Sequence, residues 1–161
     1  MSEDGRLRKQ LLYHLSGHGA HIDFAAAVEG LPFELAGKRV TSLDHTAWQL
    51  VFHLQIAQWD MVRFCTDPKH VSPEYPSGYW PETGSPVDQE RWKQAIASFQ
   101  SDLQAMADLV KDPGNDLFTP FAHGSGQNLL QEAIQIIDHN SYHIGQLVAL
   151  RMLLGVPVRD W

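Results

Sequence analysis

Cysteine is nearly missing from this chain: Cys65 is the only one in 161 residues, so an intrachain disulfide is excluded. That usage fits a reducing compartment, and a cytoplasmic location is the expectation. Positive charge is also scarce, with 12 Lys and Arg against 19 Asp and Glu and a net charge of −7. No basic cluster offsets it, which argues against a surface for the phosphate backbone; no nucleic-acid partner is expected. Long apolar runs are missing too, so no bilayer span and no membrane partner are expected. The basic start around Arg6, Arg8 and Lys9 has no apolar stretch behind it, which speaks against a secretory leader. Internal repeats, low-complexity tracts and strand-like alternation are likewise lacking. What remains is 43% hydrophobic and 19% charged, the balance of one globular domain over residues 1–161.

Apolar residues recur at helical spacing in four segments. The first is expected over residues 6–28, with Leu7, Leu11, Leu15, Ile22 and Ala25 on one face and Gly17 and Gly19 as weak points. The second is expected to open near residues 41–44, where Thr41 and Asp44 form a capping pattern, and to run to about Cys65. The third opens with Ser85 as N-cap and Pro86 at its first position. Its stripe of Trp92, Ile96, Phe99, Leu103, Met106 and Val110 reads as core. The fourth opens near Ser125 and ends at Gly155, with Pro157 just beyond. Four amphipathic segments of this length make an all-α four-helix bundle.

Between the second and third segments, residues 66–85 are rich in proline, glycine and aromatics. A loop this long can cross the length of a helix, so those two helices are free to run parallel with a long crossover. Tyr75, Tyr79 and Trp80 in it either lid a pocket or pack on the side of the bundle, and His70 reads as exposed. Helix two carries a second apolar stripe of Trp48, Phe52 and Trp59. A helix apolar on two faces needs two partners, the core and a second subunit, so a two-fold homodimer using part of this helix is expected.

Histidine is the residue type with chemistry to explain. His139 and His143 are spaced i and i+4, which puts both rings on one helix face about 6 Å apart along the axis. They share that face with Leu129, Glu132, Ile136, Leu147, Leu150 and Leu154, so they point toward a core. Such a pair either chelates a divalent metal or forms a hydrogen-bonded pair of core histidines. His53 on the second helix lies at the edge of the arc made by Leu50, Leu54, Ala57, Met61 and Phe64, where it supplies a third imidazole. Three nitrogen donors leave room for water or substrate on a divalent ion.

Asp60 and Glu132 stand seven residues from His53 and His139, about 10 Å along each axis. They are weak candidates for orienting a ligand or moving a proton, and read as pocket-edge or surface carboxylates. Cys65, about 18 Å beyond His53, is too far to be a ligand from the same helix. His14, His18 and His21 form a rival stripe on the first segment, either metal-binding or solvated, with His18 nearest the interior.

Residues 46–54, 56–60, 72–81 and 138–154, with the pattern His143-x-Gly145-Gln146 behind His139, resemble the DinB-like (DinB/YfiT-like) metalloenzyme family. The resemblance covers nearly the whole chain from Leu31 onward. It implies a four-helix bundle of up-down-down-up order, often a homodimer. A divalent metal, zinc first and nickel next, would be held by His53, His139 and His143. Characterised members resemble thiol-dependent transferases and isomerases that use low-molecular-weight thiols. The expectation is a metal-dependent enzyme, a transferase or hydrolase, acting on a small molecule. A non-catalytic, stress-associated metal-binding dimer is the alternative.

Overall fold

A computed structural model describes residues 2–158, and among these the chain is all-helical. Five α-helices follow in order: α1 Glu3–Leu15, α2 Phe24–Val28, α3 Ala47–Thr66, α4 Gln89–Lys111 and α5 Leu129–Leu153; a 3₁₀ turn spans Phe33–Leu35. None of these helices is long and apolar enough to cross a membrane.

Each α-helix starts on a side chain that takes an orphan backbone N–H. Ser2, Asp23, Asp88 and Asn128 do this for α1, α2, α4 and α5. Thr46 does it for α3 in a reciprocal pair: its hydroxyl accepts from the Gln49 N–H at 3.2 Å, and Gln49 Oε1 accepts from the Thr46 N–H at 3.1 Å. The Thr46 hydroxyl itself donates to the Gly84 carbonyl, 2.7 Å away.

Three helix starts therefore differ from the sequence expectation. The Thr41–Asp44 pattern is passed over in favour of Thr46, because the Trp48 N–H is taken by the Ala36 carbonyl and Thr46 also anchors the end of the crossover. Asp88, not Ser85, caps α4, and α5 begins after Asn128 rather than near Ser125.

The expected single helix over residues 6–28 is two. Gly17 sits at φ +79°, where an L-residue with a Cβ is strained, and an added Cβ there would collide with Asp23. The chain turns at that point, and Asp23 caps α2 as a new start. At the other end of the chain α5 stops as expected, with Gly155 at φ +76° just beyond.

Two apolar clusters lie along the interior. One gathers Phe24, Trp48, Leu50, Leu54, Phe99, Ile144 and Leu147. The other gathers Leu11, Leu15, Val62, Met106, Val110, Leu117, Leu129 and Ile136. Between α3, α4 and α5 runs a polar relay. Gln58 Nε2 donates to the Phe99 carbonyl at 2.5 Å, and Asn140 Nδ2 donates to Gln58 Oε1 at 2.8 Å.

Two buried arginines tie the ends. Arg8 donates to the carbonyls of Val110, Asp112 and Asn115, which gathers the C-terminal end of α4 onto α1. Arg151 does the same for Ala27 and Glu29 at the end of α2. Five fixed donors per guanidinium suit this use better than a lysine ammonium would.

The second stripe of α3 meets cover within the chain. Trp48 is 4% exposed, the Arg91 guanidinium lies 5.2 Å from its ring centroid and 5.5 Å from that of Phe52, and Trp59 meets the ring of His70.

Candidate metal centre

The three histidines singled out in the sequence come together. One nitrogen from each of His53, His139 and His143 lies within 4.8 Å of the others, and no other trio of possible ligands among the described residues does so. α3 carries the first and α5 the other two, one turn apart. His53 and His143 are buried, and His139 is half-buried.

Hydrogen bonds decide which nitrogen faces inward. The Nδ1–H of His53 donates to the Tyr79 carbonyl at 3.2 Å, and the Nδ1–H of His143 donates to Gln146 Oε1 at 2.7 Å. Each ring is thereby held in the tautomer whose Nε2 bears a free lone pair, the usual arrangement for a ligand histidine. His53 Nε2 and His139 Nε2 are 3.0 Å apart. Two imidazoles bound to one cation at about 2.0–2.1 Å, at angles between square and tetrahedral, stand roughly 2.9–3.4 Å apart. The donor set thus fits a divalent metal in identity, in the tautomers of His53 and His143, and in the His53–His139 spacing, while His139 Nδ1 is buried with no partner. The same 3.0 Å also admits an N–H···N bond between the two rings.

Protonation is disfavoured throughout. Burial, then the neighbouring His143, pushes His53 down to about 4; the Tyr79 carbonyl opposes this, and His45 adds to it. Burial, then His143 and His53, takes His139 down to about 3. His143 is lowered by burial against the pull of Gln146. All three rings are neutral near pH 7, the form that binds metal.

The crossover loop packs on this group. Trp80 lies flat on His53, with ring centroids 3.9 Å apart and planes within 5°, and His45 stacks on the other face of Trp80 at 4.1 Å. Of the two sequence readings for the loop aromatics, Tyr79 and Trp80 cover the site, whereas Tyr75 is 73% exposed.

Asp60 and Glu132 are not surface carboxylates: they are 9% and 8% exposed. Asp60 is engaged away from the imidazoles, accepting from the Tyr79 hydroxyl and from His70 Nε2, both at 2.6 Å. Glu132 lies close enough to Asp60 for its carboxyl to be raised, first by burial and then by that charge. Cys65 is pushed up to about 12 by burial and then by Glu132, so it holds no reactive thiolate at neutral pH. His70 is not the exposed residue expected, since its side chain is only 9% exposed against Asp60.

The rival stripe does not assemble. His14, His18 and His21 are all exposed; His18 meets the Ser16 hydroxyl, and His21 meets Ser141 and the Ile22 carbonyl. His18 does not reach the interior, because the helix expected to carry it has already ended at Leu15.

Sequence reasoning missed His45, His70 and the part played by the Tyr79 backbone. Gln146 had a signal, at i+3 from His143 on the same face. The others had none, because their contacts span the crossover. No family model, curated protein or solved structure matches this chain.

Proposed function

We propose that this chain is a DinB-like metalloprotein in which His53, His139 and His143 hold one divalent cation, zinc first and nickel next, for chemistry on a small molecule. The observation that carries the reading is the convergence of three neutral imidazoles, two of them fixed with Nε2 inward. Such a cation would act as a Lewis acid toward a water, thiol or carbonyl placed beside it. The chain's own contribution is orientation and exclusion of water. Tyr79 and Gln146 hold the rings, and Trp80 shields His53 from solvent. Asp60 is occupied by Tyr79 and His70, so it supports the loop rather than moving protons at the centre.

Among reactions, we infer a thiol-dependent transfer or isomerisation, with hydrolysis as the other class. Contacts support the up-down-down-up bundle: Arg91 meets Gln55 and Phe99 meets Gln58, so α3 and α4 advance together. Leu50 and Leu54 cluster with Ile144 and Leu147 whereas Val62 clusters with Leu129 and Ile136, as expected of an α5 running the other way. A homodimer belongs to the same reading, its face drawn from exposed apolar residues such as Tyr142 and Met152, 65% and 57% exposed, rather than from buried Trp48. Sedimentation of wild type against Tyr142→Glu tests that assembly.

The test of function is metal analysis of purified protein, then a conjugation screen pairing several cellular thiols with electrophiles. About one cation per chain and a thiol-dependent product support the proposal; a metal-free protein at neutral pH overturns it. One observation favours a second reading. His53 and His143 are each less than a tenth exposed, with Trp80 over the first, as expected for a cation held without turnover. Bound metal with no product from any thiol pair selects that binding role.

A further inference from the structure

A second cavity lies around α5 from the histidines. Its volume is about 110 Å³, and buried Phe24, Phe99, Ile136 and Ile144 give it an apolar floor. Its rim is polar. Ser141 on α5 lies there, with His21 from the loop that leaves α1 at Leu15 and enters α2 at Phe24. His21 is exposed and Ser141 half-buried, so the pair is open to a molecule from solvent.

The two side chains are paired. Ser141 Oγ lies 2.8 Å from His21 Nε2, and His21 Nδ1 lies 2.7 Å from the Ile22 carbonyl. A carbonyl only accepts, so Nδ1 carries the ring proton, and the Nε2 of the neutral ring is a lone pair facing the hydroxyl. The hydroxyl has a second acceptor in reach, the Ile137 carbonyl at 2.7 Å. That carbonyl already takes the Ser141 N–H within the helix, so it is satisfied without the hydroxyl. His21 Nε2 has no other donor among the described residues. A hydroxyl within reach of a base that a third group orients is the arrangement of nucleophilic catalysis. Ser141 stands two residues from His139 and from His143, about 200° around α5 from each, so the pair faces away from the three histidines.

We propose that Ser141 and His21 form a hydrolytic site for esters of short aliphatic acids, independent of any cation. Apolar cavities of about 150 Å³ take benzene, so this one takes an acyl chain of roughly four carbons. The chain lies on the apolar floor and the ester carbonyl meets Ser141 at the rim. Ser141 Oγ bonds to the carbonyl carbon as its proton passes to His21 Nε2. The bond to the leaving oxygen then breaks, that oxygen takes the proton from His21, and the alcohol departs. Water attacks the acyl-Ser141, gives a proton to His21 and releases the acid, and His21 returns the proton to Ser141. Gln100, on α4, brings an amide donor to the same rim for the oxyanion.

The test uses full-length protein with p-nitrophenyl butanoate as substrate and phenylmethanesulfonyl fluoride as a trap for an activated serine. The trap should place one sulfonyl group per chain, located on Ser141 by peptide mass mapping. Ser141→Ala should bring ester hydrolysis down to the rate of free imidazole at equal concentration. His21→Phe should cost about a hundredfold, the lower end for a positioned base. The decanoate ester should react more slowly than the butanoate, because its chain exceeds the cavity. His53→Ala and chelator-treated wild type should keep the full rate. No label on wild type, or label on any other residue, overturns the proposal. So does a rate unmoved by Ser141→Ala in a variant of wild-type melting temperature. A rate lost with His53 or with chelator also overturns it, and would put hydrolysis at the three histidines instead.

Discussion

Tyr79 holds His53 with its backbone and Asp60 with its side chain: its carbonyl accepts from His53 Nδ1, while its hydroxyl donates to Asp60 Oδ2 at 2.6 Å. One loop residue thus fixes a ring tautomer on α3 and is itself fixed two turns further along the same helix. Tyr79→Phe should cost about 1–3 kcal/mol, because Asp60 is left buried with His70 alone. Metal affinity should fall by roughly tenfold through the loosened His53, the lower end for loss of outer support. Urea titration and competition against a chelator measure the two effects. An unchanged chelator midpoint would show that the loop does not position His53.

Removal of ligands gives a sharper contrast. His143→Ala and His53→Ala should each lose most of the bound cation, since two imidazoles make a weak site. His14→Ala and His18→Ala should keep wild-type stoichiometry, both being exposed and outside the trio. Elemental analysis after gel filtration decides it; loss of metal in the His14 or His18 variant would move the site.

Acid should destabilise the metal-free protein. His53 and His139 have folded values of about 4 and about 3, against about 6.5 unfolded. Between those limits the unfolded chain binds more protons than the folded one, so stability rises with pH across the window. It is therefore fully present above about pH 6.5 and lost as pH falls toward 4 and then 3. Chelator-treated protein followed by urea denaturation at pH 7, 6 and 5 should show this decline. The His53→Gln/His139→Gln double variant should show a flatter one. Added zinc should raise the melting temperature at pH 7 and do little at pH 4.

Cys65 should be inert in the native state. With its thiol pushed up to about 12, iodoacetamide at pH 8 should label it slowly when folded and rapidly in urea. Cys65→Ser should keep its metal. Fast native labelling would contradict the buried, carboxylate-flanked environment.

Phe99→Ala probes the core where α4 packs against α2. The ring is fully buried, and its centroid is 3.9 Å from that of Phe24. A loss of about 3–5 kcal/mol is expected from urea titration; a loss under 1 kcal/mol would mean the neighbours collapse into the space.

The reach of the sequence follows from the range of each interaction. His139 and His143 were legible as a pair because one helical turn joins them, and His53 because its place on an apolar arc is a local property. Long helices were legible for the same reason. Which of two capping patterns wins was not: Thr41 and Thr46 are both sound locally, and the choice rests on Gly84 and Ala36. Nor was the break after Leu15, where two weak-point glycines inside an apolar pattern left the helix plausible until Asp23 proved to cap a new one. The environment of Asp60 depends on Tyr79 and His70, which lie in the crossover and carry no periodicity to read.

Trp80 lies between the rings of His45 and His53, and that stacking bears on kinetics. Anything arriving from the crossover side must wait for this stretch of loop to lift. Its association rate is then set by how often the segment opens and how long it stays open, not by diffusion to the surface. Exchange of a ligand through that side should saturate with concentration, reaching a ceiling equal to the opening rate.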